Sequence, residues 1–325
     1  MINFTYTKAS TTNSAVDLLL KEKNAKFIAG GTNLVDLMKR GVETPDRLID
    51  ITNLPLHNID KKETGLYIGA MVTNTQVAED PWIKINYPLL SLALQAGASP
   101  QLRNMATVGG NMMQRTRCSY FYDTAMPCNK REPGTGCGAM NGYNRMHAIF
   151  GASDSCIAVH PSDMCVALAA LDTTVIIQGK KERRIPFLDF HRLPGNTPEK
   201  DNNLAKGELI TGIEIARNHF GGHVHYLKIR DRSSYAFALV SVAAALEISN
   251  DSIVHARLAM GGVAHKPWRL TEAEKFLQGK KATVDSFREA AIVAMNGAKD
   301  YGQNHFKLKL APVAIVEALS QAAKI

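Results

Sequence analysis

The chain has 325 residues, 45% hydrophobic and 21% charged, with a formal charge of +8. That gives room for two or three domains, each with its own core, in a chain of globular composition. Lys and Arg are scattered. Their densest groups, Lys180, Lys181, Arg183 and Arg184, then Arg230 and Arg232, are short and lack interleaved aromatics, which argues against a nucleic-acid surface and for an anionic cofactor or an acidic protein partner. The opening MINFTYTKASTTNSAV has no basic segment leading into an apolar one, so no secretory signal is expected and the chain alone reads as cytoplasmic. The longest apolar run, residues 235–246, is too short for a bilayer span and reads as buried core. Five cysteines, an odd number, exclude a disulfide-dense secreted scaffold.

In chain order, residues 16–20 have helical period and 26–29 form a short strand ended by Gly30-Gly31. Residues 34–38 start a helix and 47–50 form another strand, so the first fifty residues make a small βαβ-type unit. Residues 66–70 read as a strand, 88–98 and 164–171 as helices, and 173–178 and 209–215 as strands. A Gly/His-rich link at 218–223 leads to paired strands at 241–248 and 254–260, then helices at 272–276, 286–295 and 312–322. The fold class expected is α+β.

KFIAGGTNLVDLMK places two glycines between a strand and a helix, with Thr32 and Asn33 at the helix start. Glycine admits positive φ and lets amides converge, and a helix N-terminus welcomes an anion such as a pyrophosphate. The motif is neither a Walker A loop nor a Rossmann fingerprint, and alone it fits an ordinary strand-to-helix turn. ATVGGN repeats the pattern at Thr107, Val108, Gly109, Gly110 and Asn111. Two such turns suit the two phosphates of a dinucleotide.

RTRCSYFYDTAMPCNKREPGTGCGAM puts Cys118, Cys128 and Cys137 into a segment rich in Pro and Gly, and Cys156 follows. So long a structureless loop is uncommon unless functional or disordered, and a metal clip would order it. Disulfides, zinc and an iron–sulfur cluster compete, and spacing leaves the choice open because neither zinc knuckles nor ferredoxin runs are present. Arg115, Arg117, Lys130, Arg131 and Arg145 would offset thiolate charge, and Tyr120, Phe121 and Tyr122 would shield the site. Cys165, in an apolar helical run, reads as a core thiol.

AGGTNLVDLMK and QLRNMATVGGN, with YLKIRDRSSYAFALVSVAAAL and LAMGGVAHKPWRL, resemble the FAD-binding medium subunits of the xanthine dehydrogenase and molybdenum hydroxylase family over essentially the whole chain. The cysteine loop is similar to an insertion in that family's aldehyde oxidoreductase branch. The resemblance implies a two-subdomain, PCMH-type FAD-binding fold (residues 1–55 and 56–217, with the insertion at 115–157) followed by an α+β flavoprotein C-terminal domain at 218–325. It implies a flavin pyrophosphate on Lys26, Phe27, Ile28, Ala29, Gly30, Gly31, Thr32 and Asn33, with Thr107, Gly110 and Asn111 on the other side of the FAD. Asp163 would meet the ribityl or adenosine portion and Ile210 the isoalloxazine ring. Lys228 would lie at the flavin's polar edge, favouring added negative charge there. A helix-terminal carboxylate, plain core and a surface charge are the ordinary alternatives for Asp163, Ile210 and Lys228.

The resemblance also implies a [4Fe–4S] cluster on Cys118, Cys128, Cys137 and Cys156, a large molybdenum-cofactor partner, a small [2Fe–2S] partner, and export in folded form beside a signal-bearing partner in some relatives. The expected role is electron transfer from aldehyde oxidation. A stand-alone FAD oxidoreductase and a non-enzymatic, metal-stapled interaction module are the rival readings.

Overall fold

The computed structural model describes residues 1–324. The first unit runs β1 (Thr5–Lys8), α1 (Thr12–Lys21), β2 (Ala25–Ile28), α2 (Leu34–Lys39) and β3 (Arg47–Asp50). Its three strands are parallel in the order β1-β3-β2, as expected where each strand pair is joined through a helix. Thr11 starts α1 by a reciprocal cap with Ser14, and Ala15 and Val16 turn inward onto Ile49. The βαβ expectation holds. β1 went unread because Thr5–Lys8 is exposed almost throughout and carries no hydrophobic alternation.

The second unit comprises β4 (Ile59–Lys62), β5 (Gly65–Gly69), α3 (Asn74–Glu79), α4 (Pro81–Asn86), α5 (Pro88–Ala96), α6 (Pro100–Met105), α7 (Val108–Met112), α8 (Ser119–Tyr122), α9 (Asp163–Ala170), β6 (Thr174–Gln178), β7 (Glu182–Pro186), α10 (Phe187–Phe190) and β8 (Leu209–Ala216). Five antiparallel strands pair in the order β4-β5-β8-β6-β7. Proline opens α4, α5 and α6 at the first helical turn, so the stretch breaks into short helices instead of one long one. All eight residues of α9 are buried, which explains an apolar run with no polar face.

The third unit has β9 (Val224–Ile229), β10 (Val240–Ser249), β11 (Ser252–Gly261), β12 (Trp268–Arg269), α11 (Thr271–Leu277), α12 (Val284–Ala294) and α13 (Phe306–Ala323). The strands are antiparallel in the order β12-β11-β10-β9, and the three helices share a core with β10 and β11. Two sequence expectations shift. The run at 235–246 is core only from Leu239 onward, because Tyr235 and Phe237 are exposed and Tyr235 has φ +51°. α13 begins at Phe306, and Pro312 lies inside it instead of starting it. No helix among the described residues is long and apolar enough to cross a membrane.

Between α7 and α9 lies the cysteine segment, irregular apart from α8 yet tied down closely. The Ile149 and Phe150 amides both donate to the Val263 carbonyl, and Phe150 stacks on Trp268 with centroids 5.1 Å apart. Asn304 donates to the carbonyls of His147 and Ala148. Lys307 of α13, fully buried, donates its ammonium protons to the carbonyls of Met146 (3.1 Å), His147 (3.0 Å) and Gly262 (2.6 Å). Replacing Lys307 with Met keeps the stem but strands three carbonyls, so Lys307→Met is expected to lower the unfolding free energy by about 3 kcal/mol in urea titrations. Stability within about 0.5 kcal/mol of wild type would show that these bonds contribute nothing net.

Candidate functional site

β2 ends at Ile28 and delivers the chain into the first glycine turn. A Cβ on Gly30 would sit 1.8 Å from the Met105 carbonyl oxygen, so only glycine lets this strand end press against the segment that leads into the second turn. Gly31 follows with φ +71°, a conformation that aims successive amides into one concavity. Among the described residues, no acceptor takes the amides of Gly30, Gly31, Thr32 or Asn33. The Asn33 carboxamide oxygen accepts the Arg115 amide at 3.0 Å, while its Nδ2 is buried without a partner. The turn therefore presents unused donors, an arrangement that fits a phosphate-bearing group. Lys26, at the edge, is half exposed and pairs with Glu43 at 3.3 Å.

The second turn is held to the segment between β5 and α3 by backbone bonds. The Asn74 amide donates to the Ala106 carbonyl, Val108 to Val72 and Gly109 to Ala70, while Thr107 caps α7 by accepting the Gly110 amide at 3.2 Å. Asn111 is buried, its Oδ1 accepting from Ser162 and Gln114, so this side chain ties α7 to the start of α9. Ile210 is a core residue beside a bulge in the β6–β8 pairing, and its neighbour Thr211 accepts the Ala70 amide. The candidates thus form one contiguous region.

Asp163 and Lys228 were expected as separate cofactor contacts, and the structure joins them. Lys228 Nζ lies 2.7 Å from the Asp163 carboxylate, both side chains being almost fully buried, and it also donates to the Ala96 carbonyl. Tyr226 donates to the other Asp163 oxygen at 2.8 Å. Burial, reinforced by the Asp163 charge, pushes the Tyr226 hydroxyl well above its ordinary range, so it remains a donor.

Cys118, Cys128, Cys137 and Cys156 line one pocket, with Tyr120, Phe121, Lys130 and His147 around them. Cys128 and Cys137 face each other across a small hairpin whose turn folds around the Asn129 side chain, which accepts the amides of Gly134 and Gly136. The five cysteines are free thiols. Burial pushes Cys118 up to about 12 and Cys156 up to about 11, so these sulfurs need a cation to ionise. Nitrogen partners stand beside the sulfurs: His147 Nε2 lies 3.1 Å from Cys118 Sγ, and the Ala158 amide donates to Cys156 Sγ at 3.5 Å. The Cys118 and Cys128 side of the pocket packs on Leu37 of α2, the helix that follows the glycine turn.

A charge network missed in the sequence connects these two places. Arg115 lies between Glu43 and Asp201 (2.8 Å to the latter), and Asp201 also takes Lys130, which is buried. Burial alone would raise the Asp201 carboxyl, but the Lys130 ammonium and the Arg115 guanidinium overcome it and hold the group well below the usual carboxylate range. Glu43, Asp201 and Lys130 lie far apart in sequence and belong to no motif, so only the folded chain reveals the connection.

Among the described residues, the one trio of potential metal-ligand atoms within 4.8 Å of each other is His160, Cys165 and His191. Hydrogen bonds to the backbone fix the tautomers of the two imidazoles. His191 Nε2 donates to the Met112 carbonyl, leaving a lone pair on Nδ1, and His160 Nδ1 accepts the Ser162 amide, which places its proton on Nε2. That N–H and that lone pair are buried without a hydrogen-bond partner, and the rings meet edge to face at 4.4 Å. Burial takes the His191 pKa down to about 4, and the Cys165 thiol, pushed up to about 12, is the core thiol expected.

Residues 2–217 match the FAD binding domain in molybdopterin dehydrogenase, and residues 225–322 the CO dehydrogenase flavoprotein C-terminal domain. The chain is 47% identical to the aldehyde oxidoreductase FAD-binding subunit PaoB of Escherichia coli, with 98% of each chain covered. It is 28% identical to the glyceraldehyde dehydrogenase medium chain of Sulfolobus acidocaldarius, again with 98% of each covered. Among solved structures, it superposes on a chain of quinoline 2-oxidoreductase from Pseudomonas putida with a TM-score of 0.77 at 25% identity, covering 99% of this chain and 98% of that one. A chain of carbon monoxide dehydrogenase from Hydrogenophaga pseudoflava gives 0.78 at 25% identity, with 100% and 99% covered.

Gly30→Ala forces two backbone segments apart, so it is expected to cost about 3 kcal/mol in thermal or urea unfolding and to abolish flavin retention. Gly41→Ala, at a position with φ +72° and open space around it, is the control and is expected to cost about 1–2 kcal/mol with flavin retained. Equal effects at the two positions would refute the close-approach argument. Because the folded Asp201 pKa lies below the unfolded value of about 3.9, its stabilisation is complete above about pH 5 and is lost as pH falls through and below 4. Asp201→Asn is therefore expected to destabilise the protein at pH 7 and to flatten its loss of stability between pH 5 and 2; an unchanged acid limb would count against this role.

Proposed function

Because the chain belongs to the FAD-binding subunits of the molybdopterin dehydrogenase family, we propose that it is the flavin-bearing electron-transfer subunit of a molybdenum-dependent aldehyde oxidoreductase. It would receive electrons released by aldehyde oxidation at a molybdenum cofactor on a large partner subunit, by way of [2Fe–2S] clusters on a small one, and pass them to an external acceptor. The names of the two relatives, both aldehyde-oxidising enzymes, support the substrate class.

The observation that carries the flavin assignment is the set of unused donors at the first glycine turn, four free amides and the orphaned Asn33 Nδ2. These would bind the FAD pyrophosphate, with Lys26, Phe27, Ile28 and Ala29 bringing the strand up to it and Thr32 at the helix start. Thr107, Gly110 and Asn111 would close the other side. The buried Asp163–Lys228 pair is internally neutral, so its contribution would be to fix a donor in place more than to supply free positive charge. Ile210 would give apolar backing to the ring. FAD, when bound, supplies the electron-carrying chemistry; the chain orients it, excludes water and sets the field around it.

Cys118, Cys128, Cys137 and Cys156 would hold a [4Fe–4S] cluster. Their convergence supports it, as do the nitrogen groups set against sulfur. A tetrahedral single-ion site with metal–sulfur bonds of about 2.3 Å brings its sulfurs to about 3.8 Å from each other. No three of these four fall within 4.8 Å of one another among the described residues, which favours a larger group.

Anaerobic purification followed by an absorption spectrum with flavin and metal counts tests both assignments. Flavin bands and about four irons per chain are expected, with Cys128→Ser losing the iron and keeping the flavin. A colourless protein would sink the electron-transfer role; flavin with zinc in place of iron would sink the cluster alone.

A further inference from the structure

Five cations lie near the cysteines in sequence, and the structure separates them. The Arg131 guanidinium caps the carbonyls of Tyr120 (2.8 Å), Phe121 (2.9 Å) and Met126. Arg145 makes a bidentate pair with Asp231 on the exterior. Arg117 meets the Tyr122 hydroxyl and lies 3.8 Å from Asp36. Arg115 stays between Glu43 and Asp201. Lys130 differs from all four: it lines the same pocket as the four sulfurs and is 2% exposed.

The ammonium of Lys130 has three protons and meets three acceptors. They are the Asp201 carboxylate, the Pro198 carbonyl at 2.9 Å and His265 Nε2 at 2.6 Å. His265 presents a lone pair there because its Nδ1 donates to the Arg192 carbonyl at 2.8 Å. With every donor engaged, this charge cannot swing into solvent as an exposed lysine can. Nor is it cancelled. Lys26, Arg115 and Lys130 share two carboxylates, Glu43 and Asp201, so the network keeps one positive charge.

We propose that Lys130 is a positioning residue for the iron–sulfur group, its immobilised ammonium raising the reduction potential of the cluster on Cys118, Cys128, Cys137 and Cys156. The inference rests on the cluster assignment above. Reduction adds one electron, hence one negative charge, inside the thiolate cage. A fixed cation in a buried, weakly screening environment stabilises that reduced form relative to the oxidised one. Asp201 works in the opposite sense, since it neutralises part of the ammonium's field.

The test is an EPR-monitored redox titration of the full-length holoprotein, with iron counted in every sample. Lys130→Met is expected to keep its iron and to lower the ratio of reduced to oxidised cluster about tenfold at a given ambient potential, equal to about 59 mV for one electron. Lys130→Arg should stay near wild type, and Asp201→Asn should shift the ratio upward. A purely structural role would not move the two neutralising variants in opposite directions. Full iron with an unmoved ratio in Lys130→Met overturns the proposal. If that variant fails to keep its iron, an unmoved or lowered ratio in Asp201→Asn overturns it equally. Wild-type protein with flavin but no iron removes the cluster itself, an outcome distinct from either.

Discussion

The Met105 carbonyl occupies the space that a side chain on residue 30 would need. That one contact between two backbones fixes the distance between β2 and the segment entering α7, and so brings two glycine turns, some seventy-five residues apart in sequence, to one place. A phosphate-binding nest needs amides converging from a rigid frame, and both frames here are short elements that could not hold the geometry alone. α2 and α7 have six and five residues respectively. Their positions come from packing and from the backbone bonds of Ala70, Val72 and Asn74, not from helix propensity.

The cysteine segment draws its order from outside itself. It is tied to the glycine turn through Arg115 and Asn33, to the β7–β8 connection through Asp201, and to the third unit through Asn304, Lys307 and the Phe150–Trp268 stack. A metal group there would add to an existing frame that spans all three sheets. The cysteine pocket also packs alongside α2, the helix that follows the first glycine turn, with Leu37 set against Phe121 and Cys128.

Much of this was legible in the sequence, and for physical reasons. Elements with a buried stripe or a clear break, such as β2 with its glycines, β5, α5, β8 and the β10–β11 hairpin, declare themselves by period and punctuation. β1 and β9 do not, being short and half exposed. The four cysteines and the glycine turns stand out because residue type carries their chemistry. Asp163 and Lys228 were both singled out, but their mutual pairing was hidden because pairing depends on a register between α9 and β9 that sequence does not encode locally. Asp201, Glu43 and His265 carry ordinary side chains in ordinary surroundings, and nothing short of the fold sets them beside Lys130.

Lys307 lies in α13, yet two of the three carbonyls it gathers belong to the segment between Cys137 and Cys156. During synthesis those thiols emerge long before the lysine that fixes their backbone. The backbone leading to Cys156 is thus completed by a side chain about 160 residues further along the chain. Shortening the chain before α13 would therefore strip support from the backbone beside Cys156 while leaving the ties through Arg115 and the Asn129 turn in place.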